Sequence, residues 1–164
     1  MVSTPNKVIA LPVIVGVALA VFAVDQLLKL WVVQTIPVWS LSPSFARLFK
    51  ITFVTNSGTA FGMFPQLGNM FMIIAVVVIS AIIIFHRQLP VDKGWVRLSL
   101  GLMLGGALGN LTDRLSRGYV VDFIDIAFWP IFNLADVAIV LGVMILSYVM
   151  WREEQAARAG QPAE

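Results

Sequence analysis

The run from Leu67 to Phe85 holds 19 residues without a single charge, and three more stretches of the chain approach it. A helix of that length matches a bilayer's hydrocarbon core, which is ~30 Å thick at 1.5 Å of rise per residue. Inside hydrocarbon each backbone N–H and C=O must find its partner within the protein, so such runs can cross only as helices. Composition agrees. Hydrophobic residues make up 59% of the 164 positions and charged ones 12%, against about 25% charged in soluble domains, and mean hydropathy is +0.91. The sequence is that of an integral membrane protein, with one domain's worth of chain.

The first apolar stretch follows Lys7 and contains Ala18-Leu19-Ala20, which resembles the end of a cleaved secretory signal. Apolar character resumes beyond Asp25 through Leu30-Trp31-Val32-Val33, so a retained helix over 8–33 is expected. Asp25 and Lys29 lie four apart on one face near its far end. That spacing suits an ion pair at the exit from the bilayer, and equally two groups turned into a polar site.

Between 34 and 66 prolines and serines interrupt any helix. Arg47 to Thr55 is rich in β-branched and aromatic residues and reads as a strand. Asn56-Ser57-Gly58 then reads as a turn, with 59–64 returning as a second strand of a small sheet at the membrane surface. Helices are expected over 67–85, 95–114 and 133–151, with a disordered tail over 154–164. In the third, Gly101, Gly105 and Gly109 recur every four residues, a smooth face for close helix packing. Asn133-Leu134-Ala135-Asp136 fits a helix N-cap with an acid in the first turn.

Four alternating spans allow depths to be compared. Fifteen uncharged residues separate Arg97 from Asp113, and fifteen separate Asp136 from Arg152. Each interval covers about 22 Å of helix, short of a ~30 Å core. If the arginines mark one surface, both aspartates lie inside the apolar layer near the other. Asp25, Asn56, Asn110, Asp113, Arg114, Asp122, Asn133 and Asp136 therefore gather at one face. Lys and Arg divide six to five between the two sides, or six to three without Lys29 and Arg114. This asymmetry puts both termini in the cytoplasm and opens the site outward.

The chemistry open to that cluster is narrow. There is no cysteine, and the lone histidine, His86, sits in a connection on the opposite side. No metal-binding spacing occurs, so neither metal nor cofactor is expected, and no basic stripe with interleaved aromatics suggests nucleic acid. Carboxylate chemistry remains: two acids in close contact cannot both ionise, so one holds a proton while the other acts as base. Asp122 and Asp136 flank an aromatic-rich segment and are candidates for such a pair. Each acid also has a plainer use: Asp113 as partner of the adjacent Arg114, Asp136 as a capping residue, Asp122 as an interfacial loop acid. An ion pathway would need polar groups running through the bilayer, and a purely structural subunit leaves the acid cluster unexplained.

Five ordered blocks carry a resemblance to a known family. They are Asp25-Gln26-x-x-Lys29, Asn56-x-Gly58-x-Ala60-Phe61, GGALGNLTDR from Gly105 to Arg114, Val120-Val121-Asp122-Phe123, and Phe132-Asn133-x-Ala135-Asp136. Together they resemble the lipoprotein signal peptidases, the bacterial membrane aspartyl proteases. The resemblance implies an all-α membrane fold of four transmembrane helices with a small extracytoplasmic sheet cradle, in the inner membrane with its site near the outer face. It implies Asp122 and Asp136 as the catalytic pair, Asn56, Gly58, Asn110, Asp113, Arg114 and Asn133 around the site, and Asp25 and Lys29 in support. The implied substrate is a diacylglyceryl-modified prolipoprotein, cut just before its lipidated cysteine by a protein expected to be monomeric. Phe123, Ile124, Phe128, Trp129, Ile131 and Phe132 are available to touch lipid chains.

Overall fold

The computed structural model describes residues 7–38, 49–57, 67–85, 88–90 and 93–160. Four helices and two strands follow in the order α1 (Lys7–Thr35), β1 (Lys50–Asn56), α2 (Leu67–Phe85), α3 (Gly94–Arg117), β2 (Val120–Asp125) and α4 (Leu134–Ala159). By length and composition, α1 over Leu11–Thr35 and α4 over Leu134–Ala159 suffice to cross a bilayer. In α2 the stretch Met72–Ile84 is apolar but shorter.

α3 is the helix on which the others assemble, lying against α4, α1 and α2. Its glycines make this possible. A Cβ on Gly101 would stand 2.6 Å from the Val17 side chain, one on Gly105 2.6 Å from the Ala18 carbonyl oxygen, and one on Gly109 2.6 Å from Asp25 Oδ2. The smooth face read in the sequence is thus spent on α1 within the same chain. Gly106, a quarter-turn away, admits the backbone of α4 at Ala135 in the same manner.

Burial is inverted relative to a protein bathed in water. Leu27 in α1 is 65% exposed, whereas Asp25 and Lys29 on either side of it are fully buried. Apolar residues outward and ions inward is the arrangement a lipid environment favours. Two apolar clusters close the ends: Ile14, Ile82, Val96 and Leu100 at one, and Val32, Ile36, Phe53, Val121 and Phe123 beneath the sheet at the other.

Several boundaries differ from the sequence reading. α4 continues through Arg152-Glu153-Glu154 to Ala159, so the expected disordered tail is helical as far as that residue. Alanines and an Arg158–Glu154 pair at 2.5 Å support those last turns. α3 reaches Arg117 and stops at Gly118, whose φ of 80° is the left-handed conformation glycine adopts freely, and whose N–H bonds the Arg114 carbonyl at 3.1 Å. The described partner of β1 is β2, antiparallel; the expected strand over 59–64, and Gly58, lie outside the described residues. Asp122 accordingly stands on a strand and not in a loop.

Candidate active site

α3, β2 and the start of α4 are consecutive in the chain, and each delivers part of one polar cluster. The reversal at Gly118 sends the chain straight into β2. There the Val121 N–H donates to Asp113 Oδ2 at 3.2 Å, anchoring the strand to the end of α3. Asp122, the next residue, then faces the other way from Val121 along the pleat.

β1 reaches Asp122 through an irregularity. Ile51 pairs with Ile124, but Val54 pairs with Asp122 and Asn56 with Val120. Two β1 residues, Thr52 and Phe53, therefore oppose the single Phe123. In an unbroken register Asn56 would oppose Tyr119 and share the face of Val121, turned away from Asp122. One extra residue reverses that parity, and Asn56 Nδ2 donates to Asp122 Oδ2 at 2.7 Å.

After Asp125 the chain makes a tight excursion and returns. Phe132 pairs with Ile124 through bonds of 2.8 and 3.1 Å. Ala127 has a φ of 67°, held by its N–H to Asp125 Oδ1 at 2.8 Å. The tip carries Phe128, 80% exposed, and Trp129, 63% exposed. Phe128, Trp129, Phe132 and Ile126 line a groove of about 310 Å³ with Val137, Val140 and Leu141 of α4, and Asp136 forms part of its wall.

Asn133 caps α4 in reciprocal fashion. Its Oδ1 accepts from the Asp136 N–H at 3.0 Å, and its own N–H donates to Asp136 Oδ2 at 3.2 Å. Its Nδ2 donates to Asp122 Oδ1 at 2.7 Å and to Asn110 Oδ1 at 3.1 Å. Asn110 Nδ2 in turn donates to Asp136 Oδ1 at 2.7 Å. Asp136 is thus the capping residue that its position suggested and, through Asn133 and Asn110, also a member of the polar cluster around Asp122. Every carboxylate oxygen of Asp122 and Asp136 accepts from an amide, and one residue, Asn133, touches both acids.

Burial raises the Asp122 carboxyl to about 7, and the negative charge of Asp136 pushes in the same direction. The bonds from Asn56 and Asn133 and the charge of Lys29 pull the other way without offsetting it. Arg114 donates to the Asn110 carbonyl at 3.3 Å and lies within electrostatic reach of Asp136, Asp122 and Asp113.

Behind the acids lies an ion cluster. Lys29 Nζ meets Asp25 Oδ2 at 2.8 Å, Asp113 Oδ2 at 2.9 Å and Asn110 Oδ1 at 3.0 Å, so its three donors are all used. Asp25 Oδ1 also accepts from the Ala135 N–H at 3.0 Å, tying α1 to the first turn of α4. Asp25 and Lys29 therefore both pair with each other and face the polar interior. Asp113 pairs with Lys29 and with Arg117 at 2.5 Å, and the Arg114 charge also lies within its electrostatic reach. Adjacent helical residues point about 100° apart, while residues four apart share a face.

The structure brings together Asp25, Lys29, Asn56, Asn110, Asp113, Arg114, Asp122, Asn133 and Asp136; Gly58 is outside the described residues. Two contributors were not singled out from the sequence. Arg117 could have been found by its spacing from Asp113. Gln26 stands in the first of the five blocks but was given no role there; its Nε2 reaches Asp25 Oδ2 and the Gly109 carbonyl at 3.2 Å each, the latter 83 positions away. Among the described residues no group of three or more His, Cys, Asp or Glu side chains has a metal-binding arrangement.

A family model described as signal peptidase (SPase) II matches residues 17–152, which include every residue of this cluster. A lipoprotein signal peptidase of Halothermothrix orenii is 43% identical over 139 residues, covering 85% of this chain and 95% of that protein. One from Moorella thermoacetica is 48% identical over 131 residues, covering 80% and 87%. A bacterial membrane enzyme solved by the in meso method at 2.3 Å superposes with a TM-score of 0.80 at 26% identity, over 92% of this chain and 94% of that one. A second, at 1.9 Å, gives 0.72 at 28% identity, over 84% and 91%. The agreement extends from the sequence to the fold, and the chain belongs to the signal peptidase II family of proteases.

Proposed function

We propose that this protease removes the signal peptide from diacylglyceryl-modified prolipoproteins by cutting just before the lipidated cysteine, with Asp122 and Asp136 as its catalytic dyad. The observation that carries the reading is the pair of carboxylates joined through Asn133, one of them shifted to about 7. Near neutral pH Asp122 then retains a proton for part of the time. Asp136, in the first turn of α4 where the helix dipole favours negative charge, serves as base.

The neighbours constrain where the shared proton can go. Asn56, Asn110 and Asn133 all present N–H groups to the dyad, so none of these contacts offers the proton an acceptor. Among the described contacts, the other carboxylate, water and substrate are what remain for it to bridge to. In the first step a water oxygen bonds to the scissile carbonyl carbon, Asp136 takes a water proton, and Asp122 gives its proton to the carbonyl oxygen. In the second, the C–N bond breaks, Asp136 delivers its proton to the leaving amine, and a hydroxyl of the tetrahedral intermediate returns a proton to Asp122. The products are a carboxylic acid and an amine, and both aspartates end as they began.

The same reading assigns all four helices to the bilayer, with both termini in the cytoplasm and the dyad near the outer surface of the inner membrane. Short intervals between Arg97 and Asp113 and between Asp136 and Arg152 support it, as does the outward display of apolar side chains. The groove walled by Phe128, Trp129 and α4 includes Asp136 in its lining, a suitable place for an acyl chain attached close to the scissile bond.

Cleavage of a diacylglyceryl-modified precursor by Asp122→Asn and Asp136→Asn, reconstituted in liposomes, tests the dyad. Each folded variant should lose essentially all turnover. Near-normal turnover by either removes that residue from the pair.

A further inference from the structure

We infer that Lys29 is a positioning residue for the dyad: from behind the site it dictates which end of the Asn110 amide faces Asp136. The inference rests on the reading of Asp122 and Asp136 as the acids that do the chemistry.

An ammonium group has donors and no acceptor. The Asn110 atom 3.0 Å from Lys29 Nζ must therefore be its oxygen, and the nitrogen must face Asp136, which it meets at 2.7 Å. Lys29 cannot turn away, because Asp25 and Asp113 hold its other two donors and all three side chains are fully buried. The second amide is locked from a different source. Asn133 Oδ1 is held by the backbone N–H of Asp136 at 3.0 Å, which leaves both its amide hydrogens for Asp122 Oδ1 and Asn110 Oδ1. A lysine of α1 and the N-terminus of α4 thus fix the two asparagines so that both present donors to the dyad.

Without the ammonium, only the neutral Asn133 amide, at 3.1 Å, would hold the Asn110 oxygen in place. Charge-assisted bonds are roughly twice as strong as neutral ones. A positive charge would also be lost from behind two acids, leaving their ionisation less favoured. The charged groups around the dyad are Asp25 and Lys29 from α1, and Asp113, Arg114 and Arg117 from α3. Of these cations Lys29 alone bonds an amide side chain that also bonds a dyad acid, among the contacts described above.

Two variants probe opposite ends of this relay. Lys29→Met combined with Asp25→Asn removes the ammonium and one compensating carboxylate, and an asparagine at 25 keeps an oxygen for the Ala135 N–H. Asn110→Asp leaves Lys29 its acceptor but replaces the donor to Asp136 with a third carboxylate. Kinetics on a diacylglyceryl-modified precursor, measured from pH 4 to 9 on protein that remains folded in detergent, should show kcat reduced about tenfold or more. KM should stay within about twofold, since uniform binding is untouched. The acid limb of the rate profile should move to higher pH in whichever variants fold. A folded variant with the original limb, whether its kcat is retained or merely reduced, overturns the inference and leaves Lys29 a structural ion. Retained turnover in Asp122→Asn or Asp136→Asn would instead overturn the dyad itself, whatever the Lys29 variant does.

Discussion

Asp122 is 2% exposed, and its burial beside Asp136 lifts its carboxyl from an ordinary value of 3.8 to about 7. A group whose value in the folded protein lies above its unfolded one binds a proton on folding. The stability it contributes is complete below about pH 4 and is lost as pH rises through 7. At about 1.4 kcal/mol per pH unit, the ionised side chain costs the fold about 4 kcal/mol at pH 8. Asparagine at this position carries no charge to bury. It does give up an acceptor, since Asn56 and Asn133 each donate to one carboxylate oxygen at 2.7 Å and an amide has only one oxygen. That loss costs about 1–2 kcal/mol.

Asp122→Asn should therefore be inactive yet about 2–3 kcal/mol more stable than the parent at pH 8, and about 1–2 kcal/mol less stable at pH 4. For a chain of this size the gain at pH 8 corresponds to an apparent Tm roughly 5–10 °C higher. Parallel melts in one detergent at pH 4 and pH 8, followed by tryptophan fluorescence, read the difference directly. A variant that melts below the parent at pH 8, or with the same offset at both pH values, would refute the buried, proton-holding carboxyl on which the mechanism depends.

The bulge and the groove yield two more tests. Deleting Thr52 should remove the bulge yet leave Asn56 opposite Val120, whereas deleting Thr55 should bring Asn56 opposite Val121 and turn it away from Asp122. The Thr55 deletion should lower kcat about as much as Asn56→Ala, by about 10- to 100-fold for one bond to a charged group. Wild-type turnover in that variant would show that strand parity does not aim Asn56. Phe128→Ser with Trp129→Ser should raise KM for a diacylglyceryl-modified precursor about tenfold or more while kcat changes little, given the apolar area removed from the groove wall. An unchanged KM would mean that the acyl chains lie elsewhere.

Residues with a local physical signature were legible before any fold was known. Apolar runs of bilayer length gave four helices, and Asn133 with Asp136 announced the start of α4 as a cap, which is what the structure contains. Counting helix between the arginines and the aspartates was enough to gather the polar residues at one end. The sequence reading ended α4 too early, because a polar composition after Trp151 does not by itself stop a helix whose alanines and i, i+4 ion pair favour it.

What the sequence by itself determined, then, is which segments form helices and at which end the acids collect. Hydrophobic length and charge spacing act along the chain and can be read along it. Only the tertiary structure decided which groups touch. β1 pairs with β2, a single bulge turns Asn56 inward, and Asp113 meets Lys29 from α1 and Arg117 one turn along α3. These outcomes depend on strand parity, on helix faces meeting at glycines, and on buried donors each needing an acceptor. Such conditions join residues as far apart as Lys29 and Asn110, 81 positions along the chain, and they are met in space, not in sequence.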